Sequence, residues 1–221
     1  MIDILLWAFV NDSIVRHPQS GMPAHAGHGG AIATSLQLKN LEREWKQILG
    51  KYCVNQPFRM DEFENYRQQF RGWSTEMHQE LLNNLLAAIK RNTTAYIGYS
   101  APSEEKQSFG QRHKELIAKM LHDCSLAASR FRDGKIEFIF APQEQSNPIG
   151  ITECLAQTTP LPQEATGNQP DSPNVSVALQ VADLLAYEFV RWKNAPKPDN
   201  ARYPIRFLAS DAVQPFYVTH V

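Results

Sequence analysis

One acidic residue, Asp183, lies within a predominantly apolar stretch at residues 177–190, and it constrains the fold more than any other feature. The stretch has helical spacing and gives Asp183 many apolar neighbours. An ionised carboxylate in such surroundings costs on the order of several kcal/mol unless it is hydrogen-bonded, paired or metal-bound. Asp183 is therefore either a ligand of a catalytic cation or an anchor that accepts a hydrogen bond from a backbone amide or from Tyr187. Glu188 is expected to face solvent or to pair with a nearby cation.

The remaining pattern predicts a single α/β domain over residues 1–221, with a polar excursion rich in Pro and Gln at about 143–173. Four segments have the short apolar or alternating pattern of strands: residues 4–10, 29–34, 94–99 and 135–140. Three segments have helical spacing: residues 35–49, residues 74–89 and about 109–131. Ser35 and Ser74 are the expected N-caps, and Gly50 is the expected stop of the first of these helices. This order of elements predicts a mixed β-sheet flanked by helices.

Charge and cysteine content narrow the class of protein. The chain has 22 Lys and Arg against 23 Asp and Glu, a net charge of −1, so a nucleic-acid partner requires a local basic patch or a metal ion. The three cysteines are far apart and form no disulfide framework, which predicts a reducing, cytoplasmic compartment. The opening apolar run is too short to span a bilayer, so no membrane association is expected. The P-loop, GxGxxG, GxSxG and HExxH motifs are all absent from the sequence, which argues against the commonest nucleotide-binding and hydrolase families.

A second carboxylate, Asp12, follows Asn11 at the expected end of the first strand. A carboxylate at the end of a buried strand, with Asp183 on a late helix packed beside it, suits Mg²⁺, which takes one or two carboxylates together with water and substrate phosphate. Two such ions can activate a water and stabilise the leaving oxygen in phosphodiester cleavage. The alternative is that Asp12 caps a turn with Ser13.

Further charged residues lie near the middle of the chain. Asp61 and Glu62 are candidates for an additional carboxylate ligand, and a solvated acidic helix start is the alternative. Four cations are candidates for a local basic patch, and a solvated face is again the alternative: Lys51, Arg59, Arg67 and Arg71.

Two segments carry the most specific motifs of the chain. Both motifs resemble motifs of the family called domain of unknown function 3800. The opening motif of that family, Phe-x-Asp-Glu-Ser, is matched by Phe9-Val-Asn-Asp-Ser13. Its C-terminal hallmark is matched by Leu179-Gln-Val-Ala-Asp-Leu-Leu-Ala-Tyr-Glu188. Residues 29–33, 41–45 and 57–63 follow in the order expected of that family, so the resemblance covers most of the chain.

The resemblance implies a ribonuclease H-like fold and metal-dependent nuclease chemistry on DNA or RNA. Asp12 and Asp183 would then be catalytic and would hold Mg²⁺ or Mn²⁺, with Asn11 assisting and Asp61 or Glu62 as an extra ligand. Two residues are expected to contribute to binding: Gln180 and Arg59.

The chain departs from the family pattern at several positions. Asn11 stands where the first acid is expected, Arg59 stands where a histidine is expected, and Ala141 stands where an acid is expected before the long loop. Asn11 offers a carbonyl oxygen but no negative charge, and a bulge of one residue would let Asp12 take its place. Two functions follow: a metal-dependent nuclease, or a catalytically degenerate protein that acts as a binding or assembly subunit, either as a homo-oligomer or with a protein partner.

Overall fold

The computed structural model describes residues 5–16, 23–102, 135–140, 177–193 and 216–220, together with the single positions 119, 122 and 208. Positions 119 and 122 are helical and fall within the helix expected at about 109–131, whose other residues lie outside the described ones. The polar excursion expected at about 143–173 also lies outside the described residues. The described part of the chain is mixed α/β, as the sequence predicts.

Five strands form one mixed sheet in the order β4-β1-β2-β3-β5. Their bounds are β1 Leu5–Arg16, β2 Pro23–Thr34, β3 Ala95–Pro102, β4 Lys135–Phe140 and β5 Phe216–His220. The first three strands are antiparallel neighbours, whereas β4 runs parallel to β1 and β5 runs parallel to β3. Strand β1 therefore lies inside the sheet, as its short apolar run predicts.

The first strand is longer than the sequence indicates. Because β1 continues to Arg16, Asp12 lies inside the strand, and the prediction that it stands at the strand end is wrong. The polar residues that follow the apolar run stay extended because β2 pairs with them, Asp12 with His28 and Ser13 with Gly27. A partner strand satisfies the backbone polar groups whatever the side chains are.

Four helices and one 3-10 turn have their full bounds within the described residues. Their bounds are α1 Ser35–Lys51, α2 Met60–Glu64, the 3-10 turn Gln68–Phe70, α3 Thr75–Arg91 and α4 Val177–Lys193. None of the described helices is both long enough and apolar enough to cross a membrane.

Helix α1 begins one residue earlier than predicted, because its N-cap is Thr34 and not Ser35. The Thr34 hydroxyl accepts the Gln37 N–H at 3.2 Å, and the Gln37 side-chain oxygen accepts the Thr34 N–H at 2.9 Å. This reciprocal pair is a capping box. Helix α1 also runs past Gly50 to Lys51, so Gly50 is not its stop. The predicted N-cap of α3 is confirmed, since Ser74 accepts the Met77 N–H at 3.2 Å.

Helix α4 is buried around most of its circumference. Ala186 and Glu188 are both fully buried, although residues two positions apart on a helix point in widely separated directions. The expectation that Glu188 faces solvent is therefore wrong. A helix that is apolar on nearly all sides is typical of a central layer, and the charge at position 188 does not mark an exposed face.

Candidate functional site

Asp183 is held by the backbone of the segment before α2. The side chain is partly buried, and its Oδ2 accepts the N–H of Met60, the first residue of α2, at 2.7 Å. A bond this short to a carboxylate is charge-assisted and stronger than a bond between neutral groups. The interpretation of Asp183 as an anchor to a backbone amide is thus confirmed for one of its oxygens. That contact joins the beginning of α2 to the middle of α4.

Gln180, one turn before Asp183, makes a second connection on the same side of α4. Its Oε1 accepts two hydrogen bonds of 3.0 Å, one from the Trp45 indole N–H and one from the Phe58 backbone N–H. The side chain is buried, with an exposed fraction of 8%. Gln180 therefore fastens α4 to α1 and to the segment leading into α2. Its expected role in ligand binding remains a prediction.

Helix α4 also crosses the sheet at unusually close range. A Cβ atom placed on Gly29 would lie 2.4 Å from both Cα and N of Ala186, and one placed on Gly98 would lie 2.7 Å from the Phe189 ring. Gly29 and Gly98 are partners in the β2–β3 register, so they form one small depression, here termed the glycine notch. Only glycine leaves room for the helix at these two positions.

The strand register places Asn11 in one row across the sheet with Gly29 and Gly98 of the glycine notch. Asn11 pairs with Gly29, whereas Asp12 pairs with His28. Directly opposed residues of an antiparallel pair share one face of the sheet, so position 11 belongs to the face that α4 crosses and position 12 to the other face. The ladder is regular from Leu6 to Val15, so it contains no bulge there that would let Asp12 take the place of Asn11.

The position of Asp183 relative to this row follows from the helix. Ala186, which meets Gly29, lies three residues after Asp183, which is slightly less than one helical turn. The backbone thus brings Asp183 and Asn11 to neighbouring parts of one helix–sheet crossing. Asn11, not Asp12, occupies the register position nearer to α4.

Of the two acids in the first turn of α2, Asp61 is exposed and Glu62 is partly buried. The Asp61 carboxylate accepts hydrogen bonds from Asn65 Nδ2 at 3.0 Å and from Arg67 Nη1 at 3.4 Å, and it is exposed. Asp61 and Glu62 occupy the first turn of α2, so the interpretation of an acidic helix start is confirmed for their position. Arg59 is exposed at the N-cap of the same helix. Within the described side chains, no three or more His, Cys, Asp or Glu residues are grouped so that they could hold a metal ion.

An aromatic stack supports the segment that holds Asp183. The His78 ring is stacked on Phe63 at 3.6 Å between centroids and on Tyr66 at 4.6 Å, and His78 Nε2 lies 3.0 Å from the Phe63 carbonyl oxygen. This stack fixes α2 against α3 and thereby fixes the Met60 N–H. Sequence reasoning missed it because a lone histidine on an apolar helix face carries no local signal of its partners.

Three comparisons with known proteins complete the description of the site. The chain matches no protein-family model, no curated protein and no solved structure. The case for a function therefore depends on the chemistry of the residues described above.

Proposed function

We propose that this protein is a metal-dependent nuclease of ribonuclease H-like fold, related to the domain of unknown function 3800 family, that hydrolyses phosphodiester bonds of DNA or RNA. The observation that carries the proposal is Asp183, a partly buried carboxylate fixed by the Met60 N–H on the helix that crosses the row of Asn11. A mixed sheet crossed by this helix supports the fold assignment.

The residues at the crossing fit a hard divalent cation. Mg²⁺ and Mn²⁺ prefer oxygen ligands, and Mg²⁺ is commonly held by one or two carboxylates. Asp183 would supply a carboxylate oxygen and Asn11 an amide oxygen, with Glu62 as the candidate for a further ligand. A bound ion would supply Lewis-acid activation of the scissile phosphate and of water.

The chain itself contributes the orientation of Asp183. The Met60 N–H occupies one carboxylate oxygen, so the side chain does not rotate freely about its terminal torsion. A fixed ligand loses little conformational freedom when it binds an ion or a phosphate. The aromatic stack of His78 and the two hydrogen bonds of Gln180 hold the segments that carry Met60 and Asp183 in place.

A second candidate function is a catalytically degenerate protein that binds or assembles without cleaving. The observation favouring it is the regular register that assigns Asn11, an uncharged residue, to the row beside α4. On this alternative the carboxylate of Asp183 serves as an anchor for α2 and has no metal to bind.

The experiment is cleavage of labelled DNA and RNA by the purified protein in Mn²⁺, comparing the wild type with Asp183→Asn. The asparagine keeps an oxygen that can accept the Met60 N–H but removes the charge, so we expect roughly a hundred-fold or greater loss of cleavage with little change in melting temperature. Asp61→Asn is the matched control, because that carboxylate is already engaged with Arg67 on the surface.

The cleavage and melting measurements distinguish the two candidate functions. A wild type that cleaves neither substrate, and whose melting temperature is unchanged by Mn²⁺ or Mg²⁺, rules out the nuclease and leaves the degenerate protein. In that case Asn11→Asp should create or strengthen Mn²⁺ binding, seen as a rise in melting temperature with added metal.

A further inference from the structure

The exposed side of α1 carries a row of three cations, Lys39, Arg43 and Lys46, here termed the cationic stripe. Residues spaced by four and then three positions lie on one side of a helix. All three are exposed, whereas Trp45 and Leu49 on the other side of α1 are buried in the core. The stripe is therefore a continuous, solvent-facing row on a rigid element.

Carboxylates do not neutralise this row within the described part of the chain. The adjacent Glu42 is partly buried at the edge of the stripe and forms no ion pair with it. Glu44 points elsewhere, since its carboxylate accepts bonds from Arg91 at 2.9 Å and Asn92 at 2.6 Å. Three ion pairs among the described residues involve other cations: Lys51 with Glu80, Arg67 with Asp61, and Arg91 with Glu44.

The stripe stands out because the whole chain has a net charge of −1. A protein without a global basic field binds a polyanion only where like charges cluster. Three cations on one face of α1 are such a cluster. The Arg43 guanidinium is also oriented, because its Nη2 donates to Asn40 Oδ1 at 3.1 Å.

The spacing of the cations fits a phosphate backbone. With a rise of 1.5 Å per residue, Lys39 and Lys46 are separated by roughly 10 Å along the axis of α1. A nucleic-acid strand in a duplex advances by roughly 3.4 Å per phosphate, so the stripe spans about three phosphate steps. The two lysine side chains bridge the remaining mismatch, since each ammonium group is carried on a flexible four-carbon stem.

We propose that the cationic stripe of α1 binds the sugar–phosphate backbone of a nucleic acid without sequence preference. The choice of a nucleic acid over an acidic protein rests on the proposed function, but binding is measured separately from cleavage. Contacts of this kind position a substrate strand and carry no sequence information.

The experiment measures binding of a fluorescently labelled oligonucleotide by anisotropy over a range of KCl concentrations, with EDTA present so that metal plays no part. The test variant is Lys39→Gln/Arg43→Gln/Lys46→Gln. The slope of log K against log salt is negative, and each lost phosphate contact reduces its magnitude by roughly 0.7–0.9. We therefore expect the slope of the test variant to be shallower by roughly 2–3. At about 0.1 M salt this corresponds to an affinity reduced roughly a hundred-fold or more.

The matched control is Lys51→Gln/Lys90→Gln/Arg91→Gln, which removes the same number of charges at the ends of α1 and α3. We expect its slope to stay close to that of the wild type. Glutamine has nearly the helix propensity of lysine and arginine, and the stripe is exposed, so the melting temperature of the test variant should be unchanged. The three single variants provide a second measurement, each with a slope reduced by roughly 0.7–0.9.

The stripe proposal is overturned if the wild type does not bind the oligonucleotide, or if the stripe and control variants lose affinity equally. It is also overturned if poly-glutamate competes as well as the oligonucleotide does, because the partner would then be an acidic protein. Stripe-dependent binding without any cleavage would leave the stripe assigned and the nuclease disproved. Cleavage by a protein whose binding does not depend on the stripe would support the nuclease and overturn the stripe proposal.

Discussion

The glycine notch makes a sharp prediction about stability. In Gly29→Ala the new Cβ would lie 2.4 Å from Cα and N of Ala186 and 2.6 Å from the carbonyl carbon of Leu185, whereas ordinary contacts begin near 3.4 Å. Helix α4 must therefore retreat by about 1 Å, because all three neighbouring atoms are backbone and no side-chain rotation relieves the contact. The hydrogen bonds of Gln180 and Asp183, which hold α4 to α1 and α2, oppose this retreat.

The expected magnitude follows from the cost of overpacking a core, which is about 1–3 kcal/mol and occasionally more. Since backbone must move at Gly29, we expect the loss in free energy of unfolding to reach the upper end, about 3 kcal/mol. For a chain of this size that loss lowers the melting temperature by about 6–12 °C. In Gly98→Ala the three atoms nearest to the new Cβ belong to the ring of Phe189, a side chain that can shift, so we expect a smaller loss of about 1–2 kcal/mol.

The assay is urea denaturation followed by far-UV circular dichroism, with Gly50→Ala as the matched control. Gly50 lies in the last turn of α1 with nothing within 4 Å of a built Cβ, so alanine there should raise stability by about 0.5–1 kcal/mol. The argument from close approach is refuted if Gly29→Ala costs less than about 0.5 kcal/mol, or if its effect equals that of Gly50→Ala.

Two other changes test the connections of the helices. Gln180→Leu leaves the Trp45 indole N–H and the Phe58 N–H buried without their acceptor. We therefore expect urea denaturation to show a free energy of unfolding lower by about 2–5 kcal/mol. A decrease of less than about 1 kcal/mol would contradict the role of Gln180 as a connector. The pKa of Glu80 is lowered by its hydrogen bond to Lys51, and the pKa of Lys51 is raised by the same contact. The contribution of Glu80 to stability is therefore present above its unfolded-state pKa and lost as pH falls through its lowered folded pKa. A carbon-detected NMR titration should show the Glu80 pKa moving upward in Lys51→Gln, and an unchanged value would contradict this cause.

The described secondary structure could largely be predicted from hydrophobic periodicity. The pattern gives β1 to β4 and the helices α1, α3 and α4, because period and burial are local properties of a sequence. The pattern does not predict strand β5, although its aromatic and β-branched residues suit a strand. The N-cap of α1 was misassigned by one residue, although Thr34 and Gln37 carry the capping-box spacing.

The site could be predicted only in part. The sequence indicates that Asp183 needs a polar partner but does not identify Met60, because that contact joins segments far apart in the chain. The same holds for the position of Asn11 opposite Gly29, which depends on strand register. Glu188 was misassigned because a helix buried on both sides gives no exposed face from which to infer orientation.

The crossing of α4 over the glycine notch also sets the order in which this protein acquires its core. Strands β1 and β2 are synthesised early, whereas the helix that covers them and the parallel strand β4 arrive much later. Pairings between distant segments carry a large loop-closure entropy and fold slowly. A nascent chain whose α4 is still inside the ribosome therefore lacks the helix that packs over Gly29 and Gly98 of the sheet, and ribosomal pausing or premature release before α4 should yield chains that require chaperones.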